Sequence, residues 1–228
     1  MLEALFLIAV AAPFPATPGC PPRAEILSAL EVTGAAWGTA CGHSENGTTL
    51  IAAVDRGTWS EGQRYAVVGV LDHGAVRVRS DLIFIARESK EITRAISDAV
   101  DWRVEIEPTR LGHGINGRIG IFVNHGDDYF VGEEVVVLLR IASNSIDSVW
   151  MGRGDHLDRR FDSCVLATVA DFAMTKDGQL SRTRSTKRKF RNAGVDDSLA
   201  ADLKKNCVAL PKRTEFFPVP KADIGVRP

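Results

Sequence analysis

Apolar and polar residues alternate with a period of two over much of the chain. Trp102, Val104 and Ile106 interleave with Arg103, Glu105 and Glu107. This is the pattern of a half-buried antiparallel strand, because successive side chains leave opposite faces of a sheet. Ile119, Ile121 and Val123 repeat it. Val135 to Ile141 is apolar except for Arg140, which predicts a central strand covered on both faces. Further strands are predicted over Ile146–Met151, Cys164–Phe172 and Leu180–Phe190. Earlier ones are predicted over Thr48–Val54, Arg64–Leu71, Ala75–Arg79 and Asp81–Ala86. Asn46-Gly47 and Asp72-His73-Gly74 read as tight turns between strands.

The period changes to that of a helix in only three places. Pro22 to Val32 opens on a first-turn proline and puts Ile26, Leu27 and Leu30 on one face. Ser89 is placed to cap a helix whose stripe is Ile92, Ala95, Ile96, Ala99 and Val100. Ser198 to Cys207 follows Asp196 and Asp197 and carries Lys204 and Lys205 near its end, the charge order that suits a helix dipole. Pro211 stops it. Strands that do not alternate with long helices exclude a parallel α/β sheet. The expected fold is mainly β, an antiparallel sandwich, or α+β with two or three peripheral helices.

The start of the chain adds an address. Leu2 to Ala12 is an almost unbroken apolar run, broken afterwards by Pro13, Pro15 and Pro18. A bilayer span needs about 20 apolar residues, so the run is read as the core of an export signal instead. Residues 1–19 are therefore expected to be a leader and 20–228 one β-rich globular domain, secreted or periplasmic, with no transmembrane span in the mature protein. Four widely spaced cysteines, with no C-x-x-C pair among them, fit disulfides better than a zinc ribbon, whose ligands come in close pairs. Four cysteines allow three connectivities. Cys20–Cys41 with Cys164–Cys207 is the preferred one, since each bridge would tie a predicted helix to neighbouring chain.

Candidate chemistry is sparse. Gly112, Gly114 and Gly117 satisfy G-x-G-x-x-G, but a predicted strand follows where a dinucleotide site needs a helix N-terminus, so a hairpin is expected. Two polar runs offer imidazole and carboxylate for a divalent metal. One holds His125, Asp127 and Asp128, and the other Asp155, His156 and Asp158, with Asp162 close behind. Both are expected in Gly-flanked loops. No other cofactor is expected.

Charge is near neutral overall, at −1, but unevenly distributed. Lys176 to Arg213 holds eleven basic and four acidic residues, a net +7, which leaves −8 for the rest. Arg182, Arg184, Lys187, Arg188, Lys189 and Arg191 are the candidate contacts for an anionic surface or polymer. Phe190 is the only aromatic residue among them, so specific nucleic-acid binding is not expected. These features point to an exported binding or accessory protein. The alternative is a secreted hydrolase or metal-dependent enzyme using the His/Asp runs.

Overall fold

A computed structural model describes residues 19–33, 36–43, 48–55, 65–85, 101–125, 129–160, 163–190 and 196–220. Most of them lie in strands. A five-stranded antiparallel sheet contains β1 (Ala36–His43), β2 (Thr49–Asp55), β3 (Tyr65–Asp72) and β4 (Ala75–Arg79) in that order, with β5 (Ile83–Phe84) also paired to β3. A seven-stranded antiparallel sheet runs β12-β11-β10-β9-β8-β7-β6. Its members are β6 (Asp101–Gly112), β7 (Ile115–His125), β8 (Tyr129–Ile141), β9 (Ile146–Arg160), β10 (Cys164–Met174), β11 (Gln179–Phe190) and β12 (Arg213–Pro218). The sandwich expected from the sequence is thus the fold.

The core follows the alternation. Ala52, Val54, Ala66, Val68 and Val70 of the smaller sheet meet Val104, Ile106, Ile119, Ile121, Val135, Val137 and Leu139 of the larger one. The other face of the smaller sheet, with Ile51, Ala53, Val67 and Leu71, is covered by Ile26 of helix α1 (Arg23–Ala29) and by Leu30, which caps it. Val136 and Leu138 of β8 point away from the smaller sheet into a further cluster with Ile115, Val149 and Leu180, backed by Trp150, Phe172 and Phe217. The reading of β8 as a strand buried on both faces is correct. The larger sheet also curls, so that β10 approaches β6 and the Arg140 guanidinium donates to the Pro220 carbonyl at 2.7 Å.

Three elements differ from the sequence expectation. β1, rich in small residues and glycine, is a strand because it must cross β6 at close range; a Cβ on Gly42 would collide with the Ile106 carbonyl. β9 runs on to Arg160 instead of ending at Met151, so Asp155, His156 and Asp158 lie in a strand and not in a loop. β12 has no counterpart in the sequence reading. The helix expected from Ser89 lies outside the described residues.

The G-x-G-x-x-G stretch is the β6–β7 hairpin. Gly112, His113 and Gly114 turn it with φ of 93°, 50° and 78°, a region where glycine has no Cβ penalty. Helix α2 (Asp197–Asn206) starts where Asp196 accepts from the Leu199 amide at 2.9 Å. The bridges are Cys20–Cys41, which joins the segment before α1 to β1, and Cys164–Cys207, which joins β10 to the end of α2. No helix among the described residues is long and apolar enough to cross a membrane. Two bridges of this kind persist in oxidising compartments.

Candidate functional site

Strand pairing breaks at several points around one end of the sandwich. β3 and β4 shift register between Val70 and Leu71, β6 and β7 between Pro108 and Gly112, and β7 and β8 between Ile115 and Gly117. Bulges bend strands and re-aim side chains, and here Val70, Pro108 and Asn116, one from each break, border a single opening. The result is a cleft of about 490 Å³ with Leu50, Val70 and Ile141 as its apolar lining and Arg77, Thr109 and Arg110 at its polar edge. Asn116, bulged out of β7, fixes the floor. Its amide donates to the Ile141 carbonyl at 2.8 Å and its Oδ1 accepts from the Ile141 N–H at 2.7 Å. The cleft therefore combines an apolar interior with two exposed arginines, a volume and lining suited to a small ligand. None of these residues stands out in the sequence, because the cleft is made by short pieces of several strands spread along the chain from Thr48 to Ser143.

The His/Asp runs are placed differently. His125 ends β7, and its backbone shares a row across the sheet with Val131 and Asp158. Asp127, Asp128 and Asp162 lie outside the described residues. Asp155 is engaged in the sheet itself: its Oδ1 accepts from the Ala170 amide at 2.8 Å, just beyond the last paired residues of β9 and β10. His156 Nδ1 sits 3.5 Å from Glu133 Oε1, which also faces Arg153.

Beside Asp155 is a buried carboxylate that sequence reasoning missed. Glu134, 1% exposed, accepts from Arg118 Nη2 at 2.5 Å and from the Asp155 amide at 3.0 Å. Gly120 and Gly154 flank it, and a Cβ on either would collide with its oxygens. Burial raises the Glu134 carboxyl above its usual range, and the Asp155 amide and Arg118 only partly oppose this. Burial acts to lower Arg118, but Glu107 and Glu134 outweigh it and hold the guanidinium above its usual range.

The basic run divides in two. Arg182 is largely buried: Nε and Nη2 donate to Glu215 Oε2, Nη1 donates to the Arg153 carbonyl, and the guanidinium stacks over Trp150 and Phe217. Arg184 leans on Glu215 as well, at 3.4 Å. Lys187, Arg188 and Lys189 are exposed, on the part of β11 beyond its pairing with β12. Arg191 lies outside the described residues. The chain matches no family model, no curated protein and no solved structure.

Proposed function

We propose that this is an exported binding protein whose end cleft takes a small amphipathic anion, an apolar body carrying one carboxylate, sulfate or phosphate group. One observation carries the reading: three register breaks converge on a single opening with an apolar interior and arginines at its mouth. Apolar contact would supply most of the affinity and the guanidiniums would orient the head group. The alternative, a hydrolase built on the His/Asp runs, has less support because Asp155 is occupied as a strand-pairing acceptor. Export rests on the apolar leader and on two disulfides, and a mature mass beginning after residue 19 is its check.

The ligand test uses anilinonaphthalene sulfonate as a fluorescent probe and decanoate as competitor. Saturable binding, displaced by decanoate and weakened about tenfold or more by Arg77→Glu with Arg110→Glu, is the expected result. Binding that the double substitution leaves unchanged would place the probe elsewhere and remove the proposal.

A further inference from the structure

The two disulfides have different surroundings. Cys164 and Cys207 are buried, at 1% and 0% exposure. Cys20 and Cys41 are half-buried, and an exposed imidazole stands beside them. His43 Nε2 lies 3.6 Å from Cys20 Sγ. Cys41 and His43 are two apart on β1, so the strand period sends them to the same face. The other ring nitrogen, Nδ1, is 3.1 Å from Thr49 Oγ1, which holds the ring in place. A hydroxyl can donate or accept, so Thr49 supports either tautomer.

We infer that the dithiol form of Cys20 and Cys41, together with His43, is a zinc site. The two sulfurs and a ring nitrogen of His43 all lie within 4.8 Å of one another. Zinc ligands about 2.0–2.3 Å from the metal stand roughly 3.5 Å apart in a tetrahedron, close to the 3.6 Å between Cys20 Sγ and His43 Nε2. Thiolate and imidazole are the donors that zinc selects. The Nδ1 partner is the outer-shell support that metal-binding histidines use. A route from solvent exists, because a cleft of about 440 Å³ is lined by Gly19 and Thr49, both against His43, and by Asp72 and His73.

The chemistry balances with a dithiol as reductant. The dithiol supplies two electrons and two protons, the Cys20–Cys41 bond breaks to two thiols, and the reductant closes its own disulfide. Zinc then displaces both thiol protons, with Nε2 as third ligand and a water as fourth. The Cys164–Cys207 bridge, closed to an attacking thiolate, stays intact. Reduction therefore exchanges one covalent clamp on the start of the domain for a metal clamp.

The test is mild phosphine reduction of the whole protein, with alkylation mapping to show which sulfurs open and circular dichroism to show that the sheets persist. Zinc and, separately, cobalt are then added. Expected are alkylation confined to Cys20 and Cys41, about one zinc per reduced chain and none per oxidised chain. Cobalt should give a thiolate charge-transfer band, and His43→Gln should weaken metal binding by more than tenfold. Reduced, folded protein that retains no zinc overturns the inference, as does zinc binding that His43→Gln leaves unchanged. So does a first opening at Cys164–Cys207.

Discussion

Glu134 with Arg118 and Glu215 with Arg182 are two arginine–carboxylate pairs on the same face of the seven-stranded sheet, the face turned away from its partner sheet. Their contacts look alike, with closest approaches of 2.5 Å in each. Their electrostatics are opposite. Glu134 is sealed between two glycines and one guanidinium, and burial raises its carboxyl. Glu215 is 20% exposed and faces three guanidiniums, those of Arg182, Arg184 and Arg213. Burial acts to raise Glu215 too, but the hydrogen bonds from Arg182 and the surrounding cations prevail, and its carboxyl is held below the usual range. A short contact does not by itself make an ion pair stabilising. The balance between desolvation and the number of cations decides the sign.

The sharpest way to break this comparison is to disturb the seat of Glu134. Gly154→Ala would drive a methyl group against Glu134 Oε2 and Val136 Cγ2. Both neighbours are buried, so an overpacking cost of about 3 kcal/mol is expected, read as a lower urea midpoint with unchanged slope. A Gly154→Ala protein as stable as the parent would show that the carboxylate is not held between the strands, and the contrast with Glu215 would collapse.

A second test uses pH. A carboxyl lowered in the folded state contributes stability above its unfolded range, about pH 4, and that contribution is lost as pH falls through the lowered value. Glu215→Gln should therefore cost about 2 kcal/mol at neutral pH, with the gap to the parent closing on acidification. A raised carboxyl works the other way: its ionisation costs stability as pH climbs through the raised value. The deficit of Glu134→Gln should therefore be smallest at neutral pH and grow toward acid. Urea midpoints at neutral and acid pH decide between the signs. Parallel curves for both variants would mean that neither carboxyl differs from its unfolded state.

The same residues show what could be read from the chain alone. Period-two runs identify two strands: in Arg103–Glu107 the apolar face is buried and the charged face exposed, whereas Ile119, Ile121 and Val123 are buried with Gly120 also buried on the opposite face, against Glu134. The hairpin at Gly112–Gly114 was legible because a strand and not a helix follows it. From the sequence β9 ends early, since Gly152, Gly154, Asp155 and Asp158 have the composition of a loop. The glycines are there for a different reason: Trp150 lies over Gly152, and Glu134 presses on Gly154. The second contact joins residues of neighbouring strands, β8 and β9, whose nearness only the folded sheet reveals. In the sequence Arg182 groups with Lys187 and Arg188 because all three are basic. Its partner Glu215 comes 33 residues later, on a strand that sequence reasoning did not find.

The smallest effect should come from the other end of β11, where the comparison can be extended from carboxylates to cations on one strand. Arg182 is bound to Glu215 and packed on Trp150 and Phe217. Lys187, Arg188 and Lys189 are exposed. Changing these three together to Glu should leave stability within about 0.5 kcal/mol of the parent, as surface substitutions do. The substitution also tests whether the run docks on anionic surfaces. Charge-driven docking weakens as salt screens it, so retention on an anionic resin should be strongest at low salt and fall in the triple variant. Retention that the triple substitution does not change would assign the attraction to other residues. A large loss of stability would mean that this end of β11 is as integrated into the fold as Arg182, and the division of the strand into a structural and a solvent-facing half would fail.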